Sequence, residues 1–203
     1  MRYLVLVTAL IMTLGLGPIA ADAVSRWNEA YQAYRDKDYV KAVELFKSEA
    51  MAGNVEAQFY LGAMHEYGDG VTRNLEEAAR WYRMGADSGD SGAQLILGLM
   101  YSRGQGVPKE WTEAVKWCRL SAEQGNMVAQ HNLAYMYATG GSGVPVDLVE
   151  AYAWWSLAAA NGLGVARYRM NEVMDKMTTE QSENARELAE EYFRRIGVGP
   201  LAP

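Results

Sequence analysis

The residues of this chain with the widest chemical range are two histidines, one cysteine and three neighbouring methionines. His65 and His131 have the side chain of a general base or metal ligand. Cys118 has that of a nucleophile, and Met170, Met174 and Met177 stand at helical spacing like soft ligands for Cu(I). The sequence supplies a plainer reading for most of them. His65 lies 36 residues before Tyr101, which lies 36 before Tyr137, so its position is one where rings pack between helices. Cys118 takes the place of Phe46, Tyr82 and Trp155, an inward aromatic position where a thiol packs as a small hydrophobe. Met64, Met100 and Met136 recur at the same 36-residue interval, which marks methionine as core filler. The loops Gly68-Asp69-Gly70 and Gly104-Gln105-Gly106 lack the preceding strand and the Gly-Lys-Ser/Thr of a phosphate loop. No Ser-x-x-Lys is present. These residues therefore predict no catalytic group, no metal and no cofactor. His131, which shares its position with Phe59 and Leu95, stays open between packing and binding.

What positions these residues is a repeat. Ala42, Ala78 and Ala114 stand 36 apart and Ala151 follows 37 later; Gly53, Gly89, Gly125 and Gly162 keep the same spacing, as do Ala57, Ala93, Ala129 and Ala166. A period in this range belongs to stacked solenoids, whose single repeats cannot bury an apolar face alone. Residues 74–108 show one unit clearly. Asn74 and Glu77 have the spacing of a capping box, and Ala78, Trp81, Tyr82 and Ala86 form one buried helical stripe. Gly89 ends that helix, a second runs through Ala93, Leu97, Gly98 and Tyr101, and a Gly-Gln-Gly-Val-Pro turn closes the unit. Asp147 and Glu150 repeat the capping pair. Two glycine roles separate on comparing the copies. Gly62 and Gly98 become Ala134, which asks only for a small residue, whereas the four interhelical glycines never vary and so predict a backbone requirement.

The pattern Ala78-x-x-Trp81-Tyr82-x-x-x-Ala86-x-x-Gly89, continued through Ala93-Gln94, Leu97-Gly98, Tyr101, Gly104 and Gly106-Val107, resembles the Sel-one-like repeat, a relative of the tetratricopeptide repeat. Three units match, over about 38–144, and a fourth from Asp147 degrades after its glycine. The resemblance implies an all-α, right-handed α/α superhelical solenoid acting as an adaptor for protein complexes, often in bacterial envelopes. The expected organisation is a cap helix over 24–37, repeats over 38–73, 74–108 and 109–146, a degenerate repeat over 147–177 and a cap helix over 178–196, with a disordered tail over 197–203. Trp27, Ala30, Tyr31 and Tyr34 give the first cap its apolar stripe; Ala185, Leu188, Ala189, Tyr192 and Phe193 give the last one its own.

Residues 1–23 read as a cleaved signal peptide. Arg2 precedes a 13-residue apolar run over 4–16, Gly17-Pro18 breaks it, and cleavage is expected after Ala23 or, through Ile19-Ala20-Ala21, after Ala21. The run is shorter than the ~20 residues of a membrane span, which favours cleavage over the rival, an uncleaved anchor; no stable membrane insertion is expected once the segment is removed. Export to the periplasm of a Gram-negative bacterium, or secretion, follows as the expected location. A net charge of −6 without a basic cluster argues against nucleic acid and anionic lipid as main partners. One cysteine allows no intrachain disulfide, so stability must come from packing.

The resemblance to tetratricopeptide repeats implies that the second helix of each unit lines a concave face. Its variable positions, Phe59, Glu66, Tyr67, Leu95, Arg103, His131, Tyr135 and Tyr168, are then the expected surface for a protein or peptide partner. Packing against the neighbouring helix is the competing account of Phe59, Leu95 and Tyr135. Two other functions stand as alternatives. A secreted branch of the family is associated with β-lactam binding and hydrolysis, but its hallmark is a disulfide in each repeat, and this chain has one cysteine. A spacer binding cell-wall glycan is the second, if Trp111 and Tyr152 are exposed.

Overall fold

The computed structural model describes residues 18–197 and Gly199, with side-chain environments from Arg26 onward. The described residues form ten helices and no strand: α1 Pro18–Arg35, α2 Tyr39–Met51, α3 Val55–Tyr67, α4 Leu75–Asp87, α5 Ser91–Arg103, α6 Trp111–Glu123, α7 Met127–Thr139, α8 Leu148–Ala160, α9 Gly164–Met174 and α10 Thr179–Ile196. The expected all-α class of an α/α solenoid is what the chain adopts. Residues 1–17 of the expected signal peptide, and the tail apart from Gly197 and Gly199, lie outside the described residues. Helix α1 begins at Pro18, inside the segment read as the signal peptide. Proline is tolerated in a first helical turn because its missing N–H is unpaired there anyway.

Helix starts repeat as strictly as the sequence does. Asn54, Asp90 and Asn126 each accept from the backbone N–H three residues on, at Ala57, Ala93 and Ala129, over 3.1, 2.6 and 3.1 Å. Gln58, Gln94 and Gln130 each donate through Nε2 to the carbonyl eight residues back, at Ala50, Ala86 and Ala122, over 3.2, 3.1 and 3.1 Å. This buried bond ties the second helix of a unit to its first. In the fourth unit both devices fail: Leu163 replaces the capping residue and Arg167 the glutamine, and α9 has only 11 residues. That is the physical content of its degeneracy.

The two glycine roles are resolved structurally. Gly53, Gly89, Gly125 and Gly162 have φ between +86° and +97°, and a Cβ on any of them would meet nothing within 4 Å. Their requirement is the left-handed backbone alone. Gly98 sits in ordinary helix, but a Cβ there would lie 2.6 Å from Cys118 Sγ and 3.1 Å from the Ala114 carbonyl. Gly98→Ala should accordingly cost about 1–3 kcal/mol by forcing α5 from α6, and a chemical denaturation midpoint equal to wild type would refute that close approach.

The chain divides into two compact units, Met1–Trp81 and Tyr82–Pro203, with the break inside α4. In the first, Phe46 stacks on Tyr60 at 5.0 Å, and α1 brings Trp27 and Tyr34 against both rings. In the second, the core runs from Leu95 through Cys118, Leu133 and Trp154 to Ala189 and Tyr192 of α10. The extra residue of the third unit forms a loop in which Gly141 and Val144 exchange backbone hydrogen bonds of 2.7 and 3.0 Å. Trp111 lies beneath it, so close that a Cβ on Gly141 would come within 2.3 Å of the indole.

Candidate partner-binding surface

Arginine, tyrosine, tryptophan and glutamate recur together where one unit meets the next. Arg83 donates to the Tyr101 hydroxyl and lies over the rings of Tyr101 and Trp117, at 5.5 and 5.2 Å. One period later, Arg119 donates to Tyr137 and lies over Tyr137 and Trp154, both at 5.6 Å. Trp117 Nε1 donates to Glu113 over 2.9 Å, and Trp154 Nε1 to Glu150 over 2.8 Å. Glu150 also pairs with Arg119 at 3.2 Å and accepts from the Tyr192 hydroxyl at 3.0 Å. Burial opposes the charge on Arg119, but Glu150 and Tyr137 more than offset it, so its pKa lies above the ordinary arginine value. Burial and the neighbouring Glu150 push Tyr192 up to about 12. This clasp corrects the reading of Glu77 and Glu150 as members of capping boxes. Asn74 and Asp147 do cap their helices, yet the Glu77 carboxylate turns to Arg80 and that of Glu150 to the clasp. The reciprocal box forms only at Thr178 and Gln181 among the described helices. In the first unit the clasp positions hold Lys47, His65, Trp81 and Glu77, and His65 Nδ1 and Trp81 Nε1 are buried without hydrogen-bond partners.

The chemically versatile residues fall into packing roles. Cys118 is buried, and burial pushes its thiol up to about 12. At pH 8 a thiol reagent should therefore leave the native protein unlabelled and modify one equivalent after denaturation; rapid native labelling would place Cys118 at the surface. Met64, Met100 and Met136 are buried in the core, and Met170 Sδ accepts from Ser156 Oγ at 3.1 Å. Among the described residues no group of three or more His, Cys, Asp and Glu is arranged to hold a metal. His131 Nδ1 accepts from Trp155 Nε1 at 3.1 Å, which requires that nitrogen unprotonated. Burial lowers the pKa of His131, helped by Arg169; burial also lowers that of His65, helped by Lys47 and opposed by Glu77. A lowered histidine pKa means the unfolded chain binds the proton first, so stability falls as pH drops below 6.5, the ordinary value. Proton NMR should find both imidazoles titrating below 6.5; a midpoint at or above it would contradict the packing.

Of the candidate surface residues in the first unit, Tyr67 is 71 % exposed, while Phe59 is half-buried with its ring edge-on to Tyr60 and Glu66 is half-buried. In the second unit Arg103, Tyr135 and Tyr168 are exposed and His131 is half-buried. Leu95 is the correction: it is 8 % exposed and belongs to the core cluster that holds Cys118, Ala122 and Leu133, so its side chain is used in packing. Trp111 and Tyr152 are half-buried against the same core, which removes the exposed aromatic pair the glycan reading needs. The arginine clasp and the exposed Val128 and Val165 are absent from the sequence-based expectation; the recurrence of each at one repeat's distance was the available signal.

The Sel1 repeat family profile matches residues 31–54, 55–90, 91–126 and 128–163. The chain belongs to the Sel1 repeat family. The profile's units keep the period but are framed from the second helix of one unit to the first helix of the next. Among solved structures, a Sel1 repeat protein from Oxalobacter formigenes is similar at 28 % identity and a TM-score of 0.69, over 82 % of this chain and 69 % of that one. A protective antigen of uropathogenic Escherichia coli strains, with an SLR fold, is similar at 26 % identity and a TM-score of 0.59, over 86 % of this chain. This chain spans 46 % of that antigen. No curated protein matches the sequence. Sel1 repeats typically mediate protein–protein interactions and are typically non-catalytic. No described helix of this Sel1 repeat protein is long and apolar enough to cross a membrane.

Proposed function

We propose that this Sel1 repeat protein is a non-catalytic adaptor of the bacterial envelope that holds a partner protein or peptide on its second-helix faces. The observation that carries the reading is the exposure of tyrosines there: Tyr135 at 51 % and Tyr168 at 68 %, in helices whose opposite sides are locked into the core. Tyrosine exposed on a rigid support gives contact area at little entropic cost, and such rings anchor interfaces. Export to the periplasm is part of the proposal. Its supports are the apolar run over 4–16 and the antigen among the structural neighbours.

A photocrosslinking amino acid placed at Tyr135 or Tyr168 in living cells tests this, with Lys116 on α6 as the control. Discrete adducts from the tyrosine positions alone are expected. Equal labelling from Lys116, or no adduct from either tyrosine, would defeat the reading.

A further inference from the structure

Helix α7 differs from every other described helix in carrying no Asp, Glu, Lys or Arg. It nonetheless presents Val128 at 44 % and Tyr135 at 51 % exposure, with His131 half-buried between them. Positions one period apart project alike from their helices. Val165 shares the register of Val128, and Tyr168 that of His131; both are exposed, at 51 and 68 %. Both helices pack on α8, whose Trp155 donates to His131 of α7 and whose Ser156 donates to Met170 of α9. The result is an apolar and aromatic strip in the unit Tyr82–Pro203, on helices whose inner faces supply its core. Lone exposed apolar residues need no explanation, whereas contiguous ones mark interaction sites.

Within the unit Tyr82–Pro203 the charges on the second helices are of one sign with a single exception, whereas α3 of the other unit carries Glu56 and Glu66. Helices α5, α7 and α9 carry Arg103, Arg167 and Arg169 against Glu172. Glu172 pairs with Arg169 at 2.8 Å and with Lys176 at 3.0 Å; Arg103 and Arg167 are exposed and make no ion pair among the described residues. This excess of arginine stands out in a chain of net charge −6. On α10 of the same unit the sign reverses, with five glutamates against three arginines. An acidic ligand is thus drawn to the strip and repelled by α10, while a basic one meets the opposite field.

Resting on the adaptor reading, we infer that the strip formed by α7 and α9 recognises an acidic segment of a partner protein. Apolar or aromatic side chains of that segment lie against Val128, Tyr135, Val165 and Tyr168, and its carboxylates meet Arg103 and the Nε and Nη2 edge of Arg169 that Glu172 leaves open. Arginine suits this task because its planar fork takes a carboxylate in two hydrogen bonds.

A phage-displayed library of random 12-residue peptides, selected on the purified full chain, tests the chemistry whatever the partner's identity. Selected peptides should be enriched in Asp and Glu beside aromatic or aliphatic residues. Their affinity should fall at least tenfold in Arg103→Glu/Arg169→Glu and in Tyr168→Ala, and should weaken with added salt. Both variants alter exposed side chains, and unchanged helical circular dichroism confirms that they fold. Neutral or basic peptides that still depend on Tyr135 and Tyr168 would overturn the acidic assignment and leave the adaptor reading standing. Peptides indifferent to those tyrosines, or no selected peptides, would overturn both. An oligothymidylate bound by the wild type and lost in the arginine variant would reassign the strip to nucleic acid. A self-associating protein dispersed by the same variant would reassign it to a second copy's α10.

Discussion

Trp154→Ala should destabilise the protein by about 3–5 kcal/mol, the range for emptying a buried tryptophan site, and lower its melting temperature by roughly 10 °C. Trp154 is fully buried, its ring 4.6 Å from that of Tyr192 and 5.6 Å from the Arg119 guanidinium. Helices α6, α8 and α10 all meet at this indole, so the cavity cannot close by moving one side chain. The substitution also removes the 2.8 Å donor to Glu150. Trp154→Phe should retain most of the packing and lose chiefly that hydrogen bond, costing about 1–2 kcal/mol. Differential scanning calorimetry separates the two. A melting temperature for Trp154→Ala within a degree or two of wild type would show that α10 does not depend on this ring.

Why the repeat was legible and the clasp was not is a matter of range. Gly53, Gly89, Gly125 and Gly162 are required by their own backbone angles, and a demand internal to one residue shows up as plain invariance between copies. The helix caps at Asn54, Asp90 and Asn126 reach three residues, and the glutamine bonds reach eight. Such contacts live inside one repeat and recur with it. Glu150 has a local signature too, standing three residues after a capping Asp147, but that spacing serves two purposes. Its carboxylate bonds to Arg119, 31 residues earlier, and Tyr192, 42 residues later. Spacing along a helix fixes the side a residue faces, and the neighbour on that side depends on how units stack. The same limit applies to the candidate surface. Leu95, His131 and Tyr168 share one register, yet they run from buried through half-buried to exposed. Pro18 was ambiguous in another way, since proline both stops helices and starts them.

The second large effect lies in the same clasp. Glu150→Ala should cost about 3 kcal/mol, at the lower end of the range for breaking a buried ion pair, because the Arg119 and Glu150 side chains keep 29 and 21 % of their exposure. Three donors lose their acceptor together: Arg119, Trp154 and Tyr192. The larger part of the loss is the half-buried guanidinium left without a carboxylate. Removing both charges in Arg119→Met/Glu150→Leu should therefore recover much of it, leaving a deficit of about 1–2 kcal/mol from the unpaired indole and phenol. Equilibrium denaturation of the two single variants and the double gives the coupling directly. Hydrogen exchange at α10 should report the same order, with protection lowest in Glu150→Ala. The Tyr192 hydroxyl ties that helix to the rest of its unit through Glu150, and the longer 3.4 Å pair of Arg195 with Glu123 is a weaker substitute. Additive single effects, with no recovery in the double variant, would mean that Arg119 and Glu150 act separately and that α10 is held by its apolar stripe alone.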